Sequence, residues 1–190
     1  MTIADRRARD RAARRRLIVA TARRLAETEG WDAVTTRRLS TEIEYSQPVL
    51  YKHFPGMDAI AEAVAIDGFG ELGDALRDAG SGGGRPADRL RRIAQAYVDF
   101  ARDNPALYDA MFTRATTLRF AADDTPPQLS AAFGGLRSAV EEICGPADVD
   151  TASEVVWAAL HGLATLSRSG RLRPEYEFDR IELLVARTVS

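Results

Sequence analysis

Residues 45–55 read YSQPVLYKHFP, and this stretch decides the fold. Its second half places Tyr51 beside Lys52 and His53, and Pro48 stands in its first helical turn. A core helix excludes cations because their burial is costly, and a fully solvated helix seldom carries aromatic rings. The mixture favours a short helix that packs by one face and offers its other face to a charged partner.

The sequence on either side of this stretch predicts a helix-turn-helix, in which a supporting helix precedes two short helices joined by a tight turn. The expected inner stripe of the supporting helix is Leu17, Thr21 and Leu25. Leu39, Phe54 and either Val49 or Leu50 are expected to hold the three helices together. The predicted boundaries are residues 10–29, then 37–42 capped by Thr35 or Thr36, then a third helix from the Ser46 cap to Pro55-Gly56.

The second short helix of such a motif lies in the DNA major groove, which is about 12 Å wide. Ser, Gln and Lys side chains bond phosphates or base edges, and Tyr offers a hydroxyl group and a ring. The N–H groups and side chains at the start of the preceding helix can bond the DNA backbone that flanks this groove. The expected DNA contacts are Thr35, Thr36, Arg37, Ser46, Gln47, Pro48, Val49, Tyr51, Lys52 and His53.

The charge of the chain is divided along its length. Residues 1–54 hold 12 Lys and Arg against 7 Asp and Glu, a net of +5, whereas residues 55–190 carry a net of −7. A basic first segment suggests that this end meets a polyanion. The arginine-rich run over residues 6–16 supports two interpretations, a solvated tail or an arm that contacts the DNA backbone or minor groove.

The composition of the 190 residues, 45% hydrophobic and 28% charged, is that of a globular protein. No apolar run approaches the ~20 residues that span a bilayer, and the basic N-terminus lacks the apolar region of a signal peptide, so we expect a cytoplasmic protein. One Cys and two His predict neither a disulfide nor a metal site, and no cofactor is expected. A small helical enzyme is an alternative, but His161 would be its one acid–base candidate.

Helical periodicity continues to the C-terminus and strand signals are scarce, so the predicted fold class is all-α. A fourth helix is expected over residues 58–79, followed by a flexible linker at residues 80–86. Its Gly68, Gly70 and Gly73 each weaken it by about 1 kcal/mol relative to Ala, and we expect them to make it compliant. The later predicted helices cover residues 88–103, 105–112, 128–144, 150–168 and 175–189, with a loop at residues 122–127.

Residues 35–64, TTRRLSTEIEYSQPVLYKHFPGMDAIAEAV, resemble the DNA-binding region of the TetR family of bacterial repressors. The most specific element is the run LYKHFP at residues 50–55, which is similar to the family's Leu-Tyr-x-His/Tyr-Phe segment. Glu44 stands where the family commonly has Gly, so we expect a strained or differently shaped turn. Met57 stands where a Lys is usual, and we assign it no DNA contact.

The C-terminal half resembles one TetR subgroup, which is marked by a Trp and a His-Gly pair, here Trp157, His161 and Gly162. The resemblance implies a homodimer with about nine helices per chain that binds a palindromic DNA operator and is released by a small apolar or amphipathic ligand. Its alternative is a protein that binds DNA or docks a partner without a ligand. The implied domains are residues 1–56 for DNA binding, 57–84 for a connecting helix and linker, and 85–190 for ligand binding and dimerisation.

The candidate pocket residues are side chains whose helical spacing also suits a plain core. Two tyrosines and a methionine among them fit an adaptable apolar cavity, so both interpretations stay open. They are Tyr97, Phe100, Tyr108, Met111, Phe112, Phe133, Trp157 and His161. The eighth and ninth helices would form the dimer interface, and its candidate contacts are Leu160, Leu163, Ile181 and Leu184.

Overall fold

The computed structural model describes residues 2–114, 118 and 125–189, and within them the chain forms nine α-helices and no β-strand. The predicted all-α class is confirmed. Of the predicted loop at residues 122–127, residues 122–124 lie outside the described residues, and Pro127 is already the first residue of a helix. The helices are α1 (Ile3–Glu29), α2 (Thr36–Glu42), α3 (Gln47–Tyr51), α4 (Met57–Gly80), α5 (Pro86–Asp103), α6 (Pro105–Phe112), α7 (Pro127–Cys144), α8 (Val149–Arg168) and α9 (Glu177–Val189).

The chain divides into two compact units. Unit 1 comprises Met1–Gly68 and Asn104–Leu118, and unit 2 comprises Phe69–Asp103 and Arg119–Ser190. Unit 1 therefore holds α1 to α3, the first half of α4 and α6, whereas unit 2 holds the rest of α4 with α5 and α7 to α9. The functional boundaries at residues 56 and 84 stay a prediction.

The first helix begins at Ile3 rather than at residue 10, because a capping box starts it there. The Asp5 N–H donates to Thr2 Oγ1 at 3.2 Å, and the Thr2 N–H donates to Asp5 Oδ2 at 2.8 Å. The buried face of α1 begins only at Ile18. Leu17 is 44% exposed rather than internal, because it lies about 100° around the helix from Ile18.

Polar groups of α1 and of the turn that follows it hold the N-terminus of α6. The Glu27 carboxylate accepts hydrogen bonds from the N–H groups of Ala106 at 3.0 Å and Leu107 at 2.9 Å. A helix start leaves such N–H groups without an intrahelical partner, so Glu27 acts as the cap of α6. Trp31 Nε1 donates to the Ala106 carbonyl at 2.8 Å. These contacts make α6 part of unit 1.

Two of the three glycines of α4 permit close helix packing. A Cβ at Gly68 would lie 2.8 Å from Leu107 Cδ1 of α6, and a Cβ at Gly73 would lie 3.3 Å from the Ala132 backbone of α7. Gly70 has more room, because its nearest neighbour would be 3.7 Å from an added Cβ. Packing therefore explains Gly68 and Gly73, and the expected compliance of α4 stays a prediction.

In unit 2, α5 packs against α7, α8 and α9. Arg91 of α5 pairs with Glu182 of α9 and with Asp88 one turn earlier. Hydrogen bonds from Arg85 and then from Arg91 lower the pKa of Asp88 to about 2. Buried side chains of this unit include Leu90, Ile93, Tyr97, Leu136, Val140, Val156, Leu160, Ile181 and Val185.

Candidate nucleic-acid interface

The helices α2 and α3 pack by one face against the core of unit 1. Leu39, Leu50 and Phe54 are 0%, 1% and 2% exposed, so Leu50 rather than Val49 is the buried residue of α3. Thr35 caps α2, because its Oγ1 accepts a hydrogen bond from the Arg38 N–H at 3.1 Å. The opposite faces of both helices are consequently open.

The third helix ends at Tyr51 rather than at the predicted Pro55-Gly56 pair. The N–H groups of His53 and Phe54 both donate to the Leu50 carbonyl, at 2.9 Å and 3.0 Å, and this tight turn brings Phe54 into the core. Lys52 and His53 thus lie just after α3 instead of within it.

None of the ten residues expected to contact DNA is buried. All ten lie on α2, on α3 or beside these helices, in unit 1. Tyr51 is 52% exposed, although it follows the buried Leu50 directly. The exposed members are Thr35, Arg37, Ser46, Gln47, Pro48, Tyr51 and Lys52, and the half-buried ones are Thr36, Val49 and His53. Their contact with DNA stays a prediction.

The turn between α2 and α3 is strained at Glu44, as expected. Its φ is +57°, and among the described residues it is the one non-glycine residue with a positive φ. The left-handed region costs an L-residue roughly 1–2 kcal/mol, because Cβ crowds the following carbonyl. The Tyr45 N–H closes the turn by donating to the Ser40 carbonyl at 3.0 Å. A glycine would adopt this backbone without that cost.

Arg15 of α1 supports the end of α3, a role that sequence reasoning missed. Its Nη1 donates to the His53 carbonyl, and its guanidinium carbon lies 4.0 Å from the centroid of the Phe54 ring. The sequence holds one signal for this contact: Arg15 stands three residues before Ile18, the start of the buried face.

Several cations surround His53. Burial of the imidazole lowers its pKa from the ordinary 6.5, and the charges of Arg14, Arg11, Arg15 and Lys52 lower it further. Its Nδ1 is buried without a hydrogen-bond partner among the described residues. The end of α3 is therefore a positively charged surface patch, which suits an anionic partner.

Ion pairs brace α2 against the supporting helix. Arg38 pairs with Glu29 at 3.0 Å and with Glu42 at 2.7 Å, and Arg24 also pairs with Glu42. Each pair is partly exposed and adds little alone, but the shared carboxylate joins them in one network. This network fixes how α2 lies on α1.

In unit 2, three of the predicted pocket residues come together. Trp157 Nε1 donates to Tyr97 Oη at 3.2 Å, and the Phe133 ring meets Trp157 edge-to-face with centroids 6.1 Å apart. A cavity of about 240 Å³ lies beside Phe133 and Trp157. Its lining residues are Thr125, Leu129, Ser130, Phe133, Gly134, Arg137, Glu154 and Trp157.

The other predicted pocket residues lie elsewhere. Tyr108, Met111 and Phe112 belong to α6 in unit 1, where the rings of Tyr108 and Phe112 meet at a tilt of 48° with centroids 4.6 Å apart. Phe100 is a buried residue of α5, and half-buried His161 has a pKa lowered by burial and then by Arg168. Their part in ligand binding stays a prediction.

Two of the four predicted interface residues are internal to the chain. Leu160 and Ile181 are 0% and 1% exposed and so have no surface to offer a partner, which corrects their assignment. Leu163 and Leu184 are half-buried and stay candidates. The exposed apolar side chains of α8 and α9, which the sequence reasoning did not select, are Val155, Leu166, Phe178, Leu183 and Val189.

None of the helices that the structure describes combines the length and the apolar content needed to cross a membrane. Known proteins resemble the chain in both sequence and fold. An uncharacterized HTH-type transcriptional regulator of Mycobacterium tuberculosis, Rv0681, is 30% identical over 161 residues, which cover 82% of this chain and 71% of that protein.

Solved structures share the fold. A protein of unknown function from Rhodococcus sp. RHA1 superposes with a TM-score of 0.72 and 26% identity, covering 92% of this chain and 93% of that one. The TetR family transcriptional regulator PfmR from Thermus thermophilus superposes with a TM-score of 0.61 over 90% of this chain and 96% of its own. Its identity is 17%, so that likeness concerns the fold alone.

Two family models match most of the chain. The model described as bacterial regulatory proteins of the tetR family matches residues 18–64, which contain α2 and α3. The model described as the tetracyclin repressor-like C-terminal domain matches residues 90–189. The subgroup expected from Trp157, His161 and Gly162 stays a prediction. With the exposed helix-turn-helix, these matches show that the chain belongs to the TetR family of DNA-binding transcriptional regulators.

Proposed function

We propose that this regulator is a cytoplasmic, homodimeric repressor that binds a palindromic operator through α3 and leaves it when a small molecule occupies unit 2. The observation that carries the proposal is that α3 has one buried face and one exposed face. Leu50 is buried, and Ser46, Gln47 and Tyr51 are exposed beside it. A helix anchored in this way can enter a major groove without disturbing the core.

The DNA contacts divide into two kinds. Ser46, Gln47 and Tyr51 can reach base edges, whereas Arg37 and Lys52 can neutralise phosphates. Two copies related by a two-fold axis would place their α3 helices in successive major grooves, about 34 Å apart. Because phosphate neutralisation supplies much of the affinity, binding should weaken steeply as salt is added.

The exposed apolar side chains of α8 and α9 support dimerisation. Phe178, Leu183 and Val155 are 60%, 58% and 63% exposed in the single chain. Burying such side chains contributes about 25 cal/mol for each Å² of apolar surface removed from water. A second copy of the chain is the partner that a two-fold operator requires.

The cavity beside Trp157 and Phe133 supports a ligand site. Its volume of about 240 Å³ is small for a ligand site, so the ligand is compact. Arg137 on its wall already pairs with Asp150 at 2.7 Å and with Glu141 at 3.3 Å. Because this cation is neutralised by the protein, a neutral and mostly apolar ligand fits better than an anion.

The DNA-binding role is tested by selecting duplexes from a randomised pool with the purified protein. A recovered 30-base-pair duplex is then titrated by fluorescence anisotropy with the wild type, Lys52→Ala and Arg171→Ala. Arg171 is an exposed cation of unit 2 and controls for the lost charge. We expect Lys52→Ala to weaken binding about 5- to 10-fold and Arg171→Ala to leave it unchanged. Equal affinities for all three would contradict the role of α3.

The ligand response is tested by a thermal-shift screen of small neutral aromatic compounds. A compound that occupies the cavity should lose its shift in Phe133→Ala and should release the selected duplex from the wild type. Compounds that bind beside Phe133 but leave the DNA complex intact would favour the alternative, a DNA-binding protein that responds to no ligand at this site.

A further inference from the structure

The arginines in the first half of α1 continue the helix face that is buried in its second half. Ile18 and Leu25 belong to the buried face. Arg14 stands four residues before Ile18, Arg11 three residues before Arg14, and Arg7 four residues before Arg11. Spacings of three and four place side chains on one face of a helix, so Arg7, Arg11 and Arg14 form a row that we call the arginine stripe.

The arginine stripe has no partner within the protein. All three side chains are exposed, and none makes a hydrogen bond or an ion pair among the described residues. Arg14 and Arg11 are nevertheless close enough to His53 for their charges to act on its imidazole. The stripe therefore extends from the side of unit 1 where α3 ends.

The positive charges of this segment disfavour its helical form. Like charges three or four residues apart repel, and cations near a helix N-terminus oppose the helix dipole. The capping box of Thr2 and Asp5 and the strong helix formers Ala12 and Ala13 nevertheless keep the segment helical. A helix that presents an unneutralised row of cations in this way is suited to an external polyanion.

We infer that the arginine stripe binds the phosphate backbone of the DNA next to the groove that α3 occupies. This inference rests on the proposed DNA-binding role of α3. At a rise of 1.5 Å per residue, Arg7 and Arg14 stand about 10 Å apart along the helix, so the three side chains can meet neighbouring phosphates. The stripe lies before residue 18, where the match to the family model begins, so it would add contacts to those of the helix-turn-helix itself. Such contacts raise affinity for every sequence alike.

The opposite face of the same helix supplies a matched control. Arg9 and Arg16 lie at least about 140° around α1 from every residue of the stripe, and Arg6 lies about 80° from Arg14 and about 100° from Arg7. Two triple variants, Arg7→Gln/Arg11→Gln/Arg14→Gln and Arg6→Gln/Arg9→Gln/Arg16→Gln, remove the same charge from the two faces. Arg15 is left in place because it holds the His53 carbonyl. Circular dichroism of both variants checks that they keep the helix content of the wild type.

The two variants are titrated with the selected 30-base-pair duplex and with a random-sequence duplex of equal length, over a range of salt. We expect the stripe variant to lose roughly 10- to 100-fold in affinity for both duplexes, with its salt slope reduced by about 2.7 per protomer. The control variant should lose less than about 3-fold.

Three results would overturn the inference. Equal losses in both variants would mean that only net charge matters, and a stripe variant that binds like the wild type would mean that the stripe makes no contact. A loss confined to the selected duplex would assign the stripe to base recognition instead. If the wild type bound neither duplex, the proposed function would fail together with the inference.

Discussion

Arg15 in α1 donates a hydrogen bond to the backbone carbonyl of His53, 38 residues further along the chain, at the point where α3 has just ended. The same guanidinium lies over the Phe54 ring, which is buried. One arginine of the basic N-terminal run is therefore part of the fold, and it fixes the position of the helix that carries the proposed DNA contacts.

We predict that Arg15→Ala lowers the melting temperature, because it removes a charge-assisted hydrogen bond and a cation–π contact. The expected decrease is about 2–4 °C, which corresponds to roughly 1 kcal/mol in a chain of this size. Arg16→Ala, about 100° further around α1, is the control and should melt with the wild type. Calorimetry of the three proteins measures the difference, and identical melting of both variants would show that the contact adds no stability.

Replacing Glu44 by Gly should stabilise the turn between α2 and α3. Its φ of +57° is strained for any residue with a Cβ. Part of the gain is offset by the greater freedom of Gly in the unfolded chain, so we expect a net of about 0.5–1 kcal/mol. Glu44→Ala removes the same charge and keeps the strain. The urea midpoint of Glu44→Gly should be higher than that of Glu44→Ala, and the reverse order would argue against a strained turn.

The glycines of α4 should respond differently to the addition of one methyl group. Gly68→Ala places a Cβ 2.8 Å from Leu107 Cδ1 in a buried contact, and we expect a loss of about 1–3 kcal/mol. Gly70→Ala meets nothing closer than 3.7 Å and should gain up to about 1 kcal/mol from helix propensity. Denaturant titrations of both variants measure the free energy of unfolding and show whether tight packing or helix propensity dominates at each position.

The same Gly70→Ala variant tests the compliance of α4. We expect it to bind the selected duplex normally but to release it at a higher ligand concentration than the wild type does. A ligand response identical to that of the wild type would count against compliance.

His53 should make the protein less stable below pH 6.5. Burial first, and then Arg14 and Arg11, lower its pKa in the folded chain from the ordinary 6.5. The unfolded chain therefore binds more protons on this residue, so stability rises with pH through this range and is lost as pH falls toward the folded pKa. Denaturant titrations between about pH 7.5 and about pH 5 should show a larger loss for the wild type than for His53→Gln. An equal loss of stability in both proteins would show that His53 is not the source of the pH dependence.

Local signals predict most of the helices. The start of α2 is set by Thr35 as cap, and α6 lies at Pro105–Phe112, as Asn104-Pro105 indicates. The first helix was harder to predict because its N-terminal turns carry no apolar stripe. Only the spacing of Thr2 and Asp5 marks their start.

Long-range contacts set the limit of prediction for the site. Leu160 and Leu163 look alike in the sequence, yet Leu160 is fully buried within the chain and Leu163 is half-exposed. Apolar periodicity identifies the face of a helix that avoids water, but it does not tell a core from an interface. Arg15 was missed for a related reason, since its partner is 38 residues away and is a backbone carbonyl.

The most direct test of the proposed regulator is the affinity of its α3 surface for duplex DNA, measured by anisotropy at low and at physiological salt. We predict tight, salt-dependent binding of the selected duplex by the wild type and a loss of at least about 10-fold in Tyr51→Ala/Lys52→Ala. We expect this double variant to keep its fold, because both side chains are exposed. Undiminished binding by that double variant, or no binding by the wild type even at low salt, would contradict the central claim.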